Sequence, residues 1–198
     1  MSLKIALTGG IACGKSMAEA CFEASGCRVL DADQIVHQLE SANGRAVAPI
    51  VSAFGADVLT AEGSIDRMLL GKKVFEDPAA RRKLEDILHP MVRHEVNQWL
   101  SSAGPNDISI FSAALLFECG WETGWDGIVC VWASRETQVR RMCSVRQMTV
   151  AAAEARLNAQ LSLEQKKARS TWTLNNDIDD LEALQQQVKA LVASWSHI

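Results

Sequence analysis

The sequence predicts an α/β protein in which a five-stranded parallel sheet is flanked by helices, and three observations predict it. Five short apolar runs, at 5–7, 27–30, 108–111, 128–132 and 172–174, alternate with segments of helical periodicity. Gly9, Gly14, Lys15 and Ser16 fit the spacing G-x-x-x-x-G-K-[ST] between the first run and a helical pattern, which makes the fold that of P-loop NTPases. Leu181, Leu184, Val188, Leu191 and Val192 then mark one face of a C-terminal helix that packs on the sheet.

The first run stops at Gly9-Gly10, and its chemistry lies in the turn that follows. Glycines let successive N–H groups point at phosphate oxygens, and the next helix adds the positive end of its dipole. The segment Gly9, Gly10, Ile11, Ala12, Cys13, Gly14, Lys15, Ser16 and Met17 is therefore read as the ATP-phosphate cradle. Lys15 reaches the β- and γ-phosphates, and the Ser16 hydroxyl sits on Mg2+. Met17 offers only its backbone N–H, and Ala12 costs on the order of 1 kcal/mol if its φ is positive. Cys13, beside a helix N-terminus, is expected to be an accessible thiol of lowered pKa, open to reversible oxidation.

Helix 15–25 follows, and the second strand then runs into Asp31-Ala32-Asp33. Ligands of open parallel sheets lie at the carboxyl ends of strands, so both aspartates are candidates. One is expected to cap the next helix, and Asp33 is taken as the functional carboxylate. From Gln34 to about Ala103 strand character disappears. Val47, Ile50, Val51 and Phe54 make one helical face, and a turn at 63–67 opens a helix over 68–75. Asp77-Pro78 opens another helix, with Asp77 as cap; Pro90 is expected to bend or restart it. Leu115-Leu116-Phe117-Glu118 follows the third strand. Trp121 and Trp125 belong to loop packing rather than base stacking. Ser134 caps a basic helix carrying Gln138, Arg140, Arg141 and Arg146, and Thr149 caps one carrying Arg156. Asn175-Asn176-Asp177 follows the last strand.

Residues 1–33, 104–139 and 170–198 thus read as a nucleotide-binding core, 34–103 as a helical acceptor-binding insert and 140–169 as a lid. Closing such a lid excludes water, so that phosphate passes to an acceptor. A net charge of −4 gives no support to a nucleic-acid binder, and no apolar run is long enough to cross a bilayer. The six cysteines contain no C-x-x-C pair and, with four scattered histidines, no zinc spacing. The chain reads as a cytoplasmic monomer with small-molecule substrates.

Thr8-Gly9-Gly10-Ile11 running into Gly14-Lys15-Ser16, then Asp31-Ala32-Asp33, Leu88-His89-Pro90 and Leu115-Leu116-Phe117-Glu118 resemble dephospho-coenzyme A kinases in order and spacing. Asp66-Arg67, Arg93, Gln138-Val139-Arg140-Arg141, Ala155-Arg156 with Gln160, and Asn176 extend the likeness over nearly the whole chain. The resemblance implies transfer of the ATP γ-phosphoryl to the ribose 3′-hydroxyl of dephospho-coenzyme A, with ATP and Mg2+. It implies acceptor contacts at Asp33, His89, Arg93, Leu115, Glu118 and Arg156. It also implies nucleotide contacts at Arg141, Arg146 and Asn176. Asp33, Lys15 and Arg141 carry the chemistry: Asp33 for the proton, the cations for charge.

The chain departs from the family pattern at Ala12, Cys13 and Met17, where glycine, serine and threonine are usual. Ala114 replaces a proline, Ser170-Thr171 an Ala-Asp pair, and an arginine expected at Val145 stands at Arg146. The alternatives are another small-molecule or nucleoside monophosphate kinase, and a nucleotide-binding regulator without turnover.

Overall fold

The computed structural model describes residues 2–75 and 77–195. The chain divides into two compact units, one joining the residues up to Leu30 with those from Ala103, the other Asp31–Ser102.

The first unit is built on the sheet. Its strands β1 (Leu3–Gly9), β2 (Arg28–Asp31), β3 (Ile108–Ser112), β4 (Gly127–Trp132) and β5 (Trp172–Asn175) lie in the order β2-β3-β1-β4-β5. β1 is central and pairs in parallel with β3 and β4, and β4 pairs in parallel with β5. Central strands are covered on both faces, which is why 5–7 is apolar without alternation; Ile5, Ala6 and Leu7 are fully buried. Ile5 and Leu7 share one face with Val129, Val131 and Leu174, covered by α1 (Lys15–Ala24) and α9 (Leu181–Trp195). Ala18, Cys21 and Phe22 project from α1, and Leu184, Val188 and Trp195 from α9; Phe22 and Trp195 stack at 5.9 Å. Register sets Gly9 beside Val131, so the loop leaves the sheet at its carboxyl edge.

Three further helices complete this unit. α6 (Arg135–Arg146) is capped by Ser134, whose side chain accepts from the Thr137 N–H, and α7 (Val150–Asn158) by Thr149, which accepts from Ala152. α8 (Leu163–Ala168) opens on a capping box between Ser162 and Gln165. The expected loop packing is present: Trp121 and Trp125 stack on Phe111 at 5.9 and 5.2 Å.

The second unit is helical: α2 (Ala32–Glu40), α3 (Val47–Phe54), α4 (Arg67–Phe75) and α5 (Pro78–Ser101). α2, α3 and α4 each pack on α5, and Ile35, Leu39, Ile50, Leu70, Leu88, Val92 and Val96 are buried. Asp77 caps α5 by accepting from Ala79 and Ala80, with Pro78 at the first position. α5 runs unbroken through Pro90, so of the expected bend or restart the restart does not occur. Proline removes only the bond to the Asp86 carbonyl, and Asp86 is exposed to water. The second strand also ends one residue later than its apolar run, so Asp31 is both its last residue and the cap of α2.

Candidate active site

β1 passes into α1 through a loop whose backbone is fixed at two left-handed positions, Ala12 at φ 58° and Gly14 at φ 92°. Ala12 therefore does carry the strain its position threatened, about 1 kcal/mol. Its methyl is packed, partly buried, against the cluster of Met142, Ala153 and Leu157, which offsets part of that cost. Gly14 precedes α1 and provides no side-chain cap, so the helix presents its first amides to whatever anion lies in the loop. The Met17 N–H donates to the Gly14 carbonyl at 3.0 Å.

Three consecutive loop carbonyls are held from outside by side chains. Gln138 Nε2 donates to the Ile11 oxygen at 2.7 Å, Arg141 Nη1 to that of Ala12 at 3.2 Å, and Asn176 Nδ2 to that of Cys13 at 2.8 Å. Fixing the carbonyls outward turns the opposite side of these peptide units toward the inside of the loop. Arg141 is itself held: Nη2 donates to the Asn176 carbonyl at 2.7 Å and Nε to Asp179 Oδ1 at 2.9 Å, leaving its side chain 13% exposed. Arg140 donates to the other Asp179 oxygen at 2.6 Å. Hydrogen bonds from Arg140 and then Arg141 keep the Asp179 carboxyl below the ordinary carboxylate value. The clamp also explains two glycines: a Cβ on Gly10 would come within 2.6 Å of Gln138 Nε2, and one on Gly14 would collide with Asn176 Nδ2.

On the inner side, Lys15 Nζ lies 2.5 Å from Glu19 Oε1 and donates to Ser112 Oγ at 2.7 Å. The Ser112 hydroxyl donates to the same Glu19 oxygen. Past β3, Glu118 accepts from Lys166 Nζ at 2.8 Å and from the Leu161 N–H at 3.0 Å. Lys166, fully buried, also donates to the Ala114 carbonyl at 2.6 Å. Leu115 is exposed.

The expected accessible thiolate at Cys13 is overturned. The side chain points into the sheet core and is fully buried, and burial pushes its pKa up to about 11 against the lowering by the Lys15 and Gly10 backbone and the nearby lysines. The dipole of α1 does not compensate for leaving water.

The structure brings together the loop residues from Gly9 to Ser16 with Arg141 and Asn176. Arg146, in the last turn of α6, and Arg156, in α7, are exposed. In the helical unit, Asp31 is the cap, its Oδ1 accepting from the Asp33 and Gln34 N–H groups, and Asp33 is exposed in the first turn of α2. His89 and Arg93 lie one turn apart on α5. Glu19, Ser112, Gln138, Asp179 and Lys166 were not singled out as site residues by the sequence reading. Glu19, four residues after Lys15, carries a readable sign in the helical ion-pair spacing, and Gln138 stands in the run Gln138-Val139-Arg140-Arg141 that carries the family resemblance.

Known proteins resemble this chain over most of its length. The family model described as dephospho-CoA kinase matches residues 3–182. A dephospho-CoA kinase of Anaeromyxobacter dehalogenans (strain 2CP-C) is 41% identical over 175 residues, covering 87% of this chain and 82% of that protein. Among solved structures, TT1252 from Thermus thermophilus superposes with TM-score 0.83 at 32% identity over 98% of this chain and 97% of its own. Dephospho-CoA kinase from Campylobacter jejuni, at 22% identity and TM-score 0.63, covers 96% of this chain and 95% of its own and shares the fold.

Proposed function

The chain belongs to the dephospho-CoA kinase family, and we propose that it transfers the γ-phosphoryl of ATP to the ribose 3′-hydroxyl of dephospho-CoA, giving CoA and ADP. The observation that carries the reading is the loop held on three carbonyls by Gln138, Arg141 and Asn176, with Lys15 on its inner side. Such a loop is shaped before the nucleotide arrives, so little of the binding energy goes to ordering it.

In this reading the amides of Lys15 and Ser16 and the unengaged amides of the loop receive the phosphates, the Met17 N–H being taken by the Gly14 carbonyl, and Lys15 shifts its Nζ from Glu19 to the β- and γ-phosphate oxygens. Asp33 accepts or orients the proton of the attacking hydroxyl. Asp31 already has Oδ1 engaged as the α2 cap, which favours Asp33 for that role. His89, Arg93, Leu115 and Glu118 belong to acceptor binding. Arg146 and Arg156 supply positive charge to the transferring group; Arg141, expected to carry that charge, is engaged by Asp179 and by the Ala12 and Asn176 carbonyls and with Asn176 holds the loop that bears the nucleotide. The hydroxyl of Ser16, at the start of α1, is an oxygen donor that suits Mg2+. That ion, when bound, neutralises charge on the phosphates.

The test is ADP formation from ATP and Mg2+ with and without dephospho-CoA, for wild type and Asp33→Asn. The expected result is acceptor-dependent turnover that falls roughly 10²–10⁴-fold in the variant. Turnover that survives Asp33→Asn removes the aspartate from the mechanism. ATP binding without turnover on any acceptor removes the kinase reading altogether.

A further inference from the structure

We infer that Glu19 is a metal-site carboxylate of this chain, supplied from α1 where the adjacent strand β3 carries none. The inference rests on the kinase reading above and concerns what completes its metal site. In P-loop NTPases the cation is held by the loop serine or threonine together with an aspartate. β3 lies next to β1 in the sheet, and Ser112 at its carboxyl end is within 2.7 Å of Lys15 Nζ. Yet β3 is Ile108-Ser109-Ile110-Phe111-Ser112, followed by Ala113-Ala114, and contains no carboxylate. The carboxylate at this position comes from the helix instead. Glu19 is three residues after Ser16 on the same face of α1, and Ser112 donates its hydroxyl to it.

Charge bookkeeping within the site says what Glu19 does when nucleotide binds. Its side chain is only 14% exposed and its cation partner is Lys15. The phosphates take Lys15, and a carboxylate so shielded from water then requires another cation or the donors attached to one. A divalent ion on the Ser16 hydroxyl, with water in its shell, supplies those donors on the same helix face. Glu19 thus alternates between two partners: Lys15 in the empty loop, and water bound to the metal in the loaded one. Ser112 holds its carboxylate in place in both.

The experiment uses ADP and Mn2+, the ion read by electron paramagnetic resonance, with the full chain. Glu19→Gln keeps the shape and removes the charge. ADP binding in EDTA is expected to be unchanged or tighter, since Lys15 is released. The Mn2+ dissociation constant of the ADP complex is expected to rise roughly 10–100-fold, as for loss of an outer-shell partner. Adding Ser112→Asp, which puts a carboxylate at the strand end, is expected to recover most of that loss. Unchanged Mn2+ affinity in Glu19→Gln overturns the inference, and so does an equal loss of ADP binding in EDTA or a double variant no better than the single. If Glu19→Gln does not fold, Glu19→Asp, which retracts the charge by one methylene, must weaken Mn2+ while sparing ADP in EDTA; equal Mn2+ affinity then overturns it. The titration needs no acceptor, so it can fail while dephospho-CoA-dependent turnover succeeds, and the reverse.

Discussion

Cys13 lies with its Sγ beneath Gly9, so close that a Cβ on Gly9 would stand 2.5 Å from the sulfur. Cys130 on β4, also fully buried, is a second thiol whose pKa burial pushes up, to about 12, with Cys13 nearby adding to the rise. A thiol at about 11 is about one part in a thousand thiolate at pH 8, and burial then blocks the reagent as well. Native protein treated with iodoacetamide at pH 8 and read by peptide mass spectrometry is expected to label at the half-buried Cys119 and Cys143. Cys13 and Cys130 should stay unmodified until the chain is unfolded. Stoichiometric labelling of Cys13 in folded protein would contradict this account. The loop therefore uses a cysteine as a small apolar side chain seated under its own turn.

At the scale of elements, α6 is what the loop depends on. Gln138 is buried and donates to the Ile11 carbonyl, so Gln138→Leu leaves that acceptor unpaired and should cost about 1–3 kcal/mol by urea unfolding. ADP binding should weaken in parallel; a variant as stable as wild type would show that water replaces the amide. How much of this was legible in the sequence follows from where each signal resides. The caps at Asp77, Ser134 and Thr149 and the Gly9–Ser16 spacing are local, and each stands where the sequence places it. The six-residue α8 was passed over although Ser162 and Gln165 spell its capping box, because so short a helix has no apolar stripe to read. The contacts of Gln138, Asp179 and Lys166 are illegible for a different reason, although Gln138 stands in a run that carries the family resemblance. Gln138 lies 127 residues from its partner Ile11, and a polar residue in a helix looks solvated until the partner carbonyl is known. The low-pKa reading of Cys13 failed the same way: it weighed the helix terminus, which is local, and missed burial, which is tertiary.

The whole molecule should respond to acid with two opposite slopes. In the sheet unit, Asp179 is held low by hydrogen bonds from Arg140 and Arg141, and Asp177 by hydrogen bonds from Ser134 and then Thr137. A depressed carboxyl contributes stability that is complete above its unfolded value, near 3.8, and is lost as pH falls through the lower folded one. In the helical unit, Glu40 is buried with Arg67 Nε at 3.1 Å. Burial pushes its pKa up, and the pull of Arg67 and His37 does not restore it. A raised carboxyl runs the other way: folding favours its protonated form, so stability is lost as pH rises from 4.5 through the folded value. Thermal unfolding from pH 8 to pH 3 separates the two when each variant is referred to wild type. The melting-temperature gap between wild type and Asp179→Asn should be constant down to about pH 5 and close below 3.8. For Glu40→Gln the gap should be smallest near pH 4 and shift in favour of the variant as pH rises past 4.5. Gaps that move in the same direction would show that Arg67, rather than burial, governs Glu40. The helical unit would then gain an ion pair, rather than bear a desolvated carboxylate, at neutral pH.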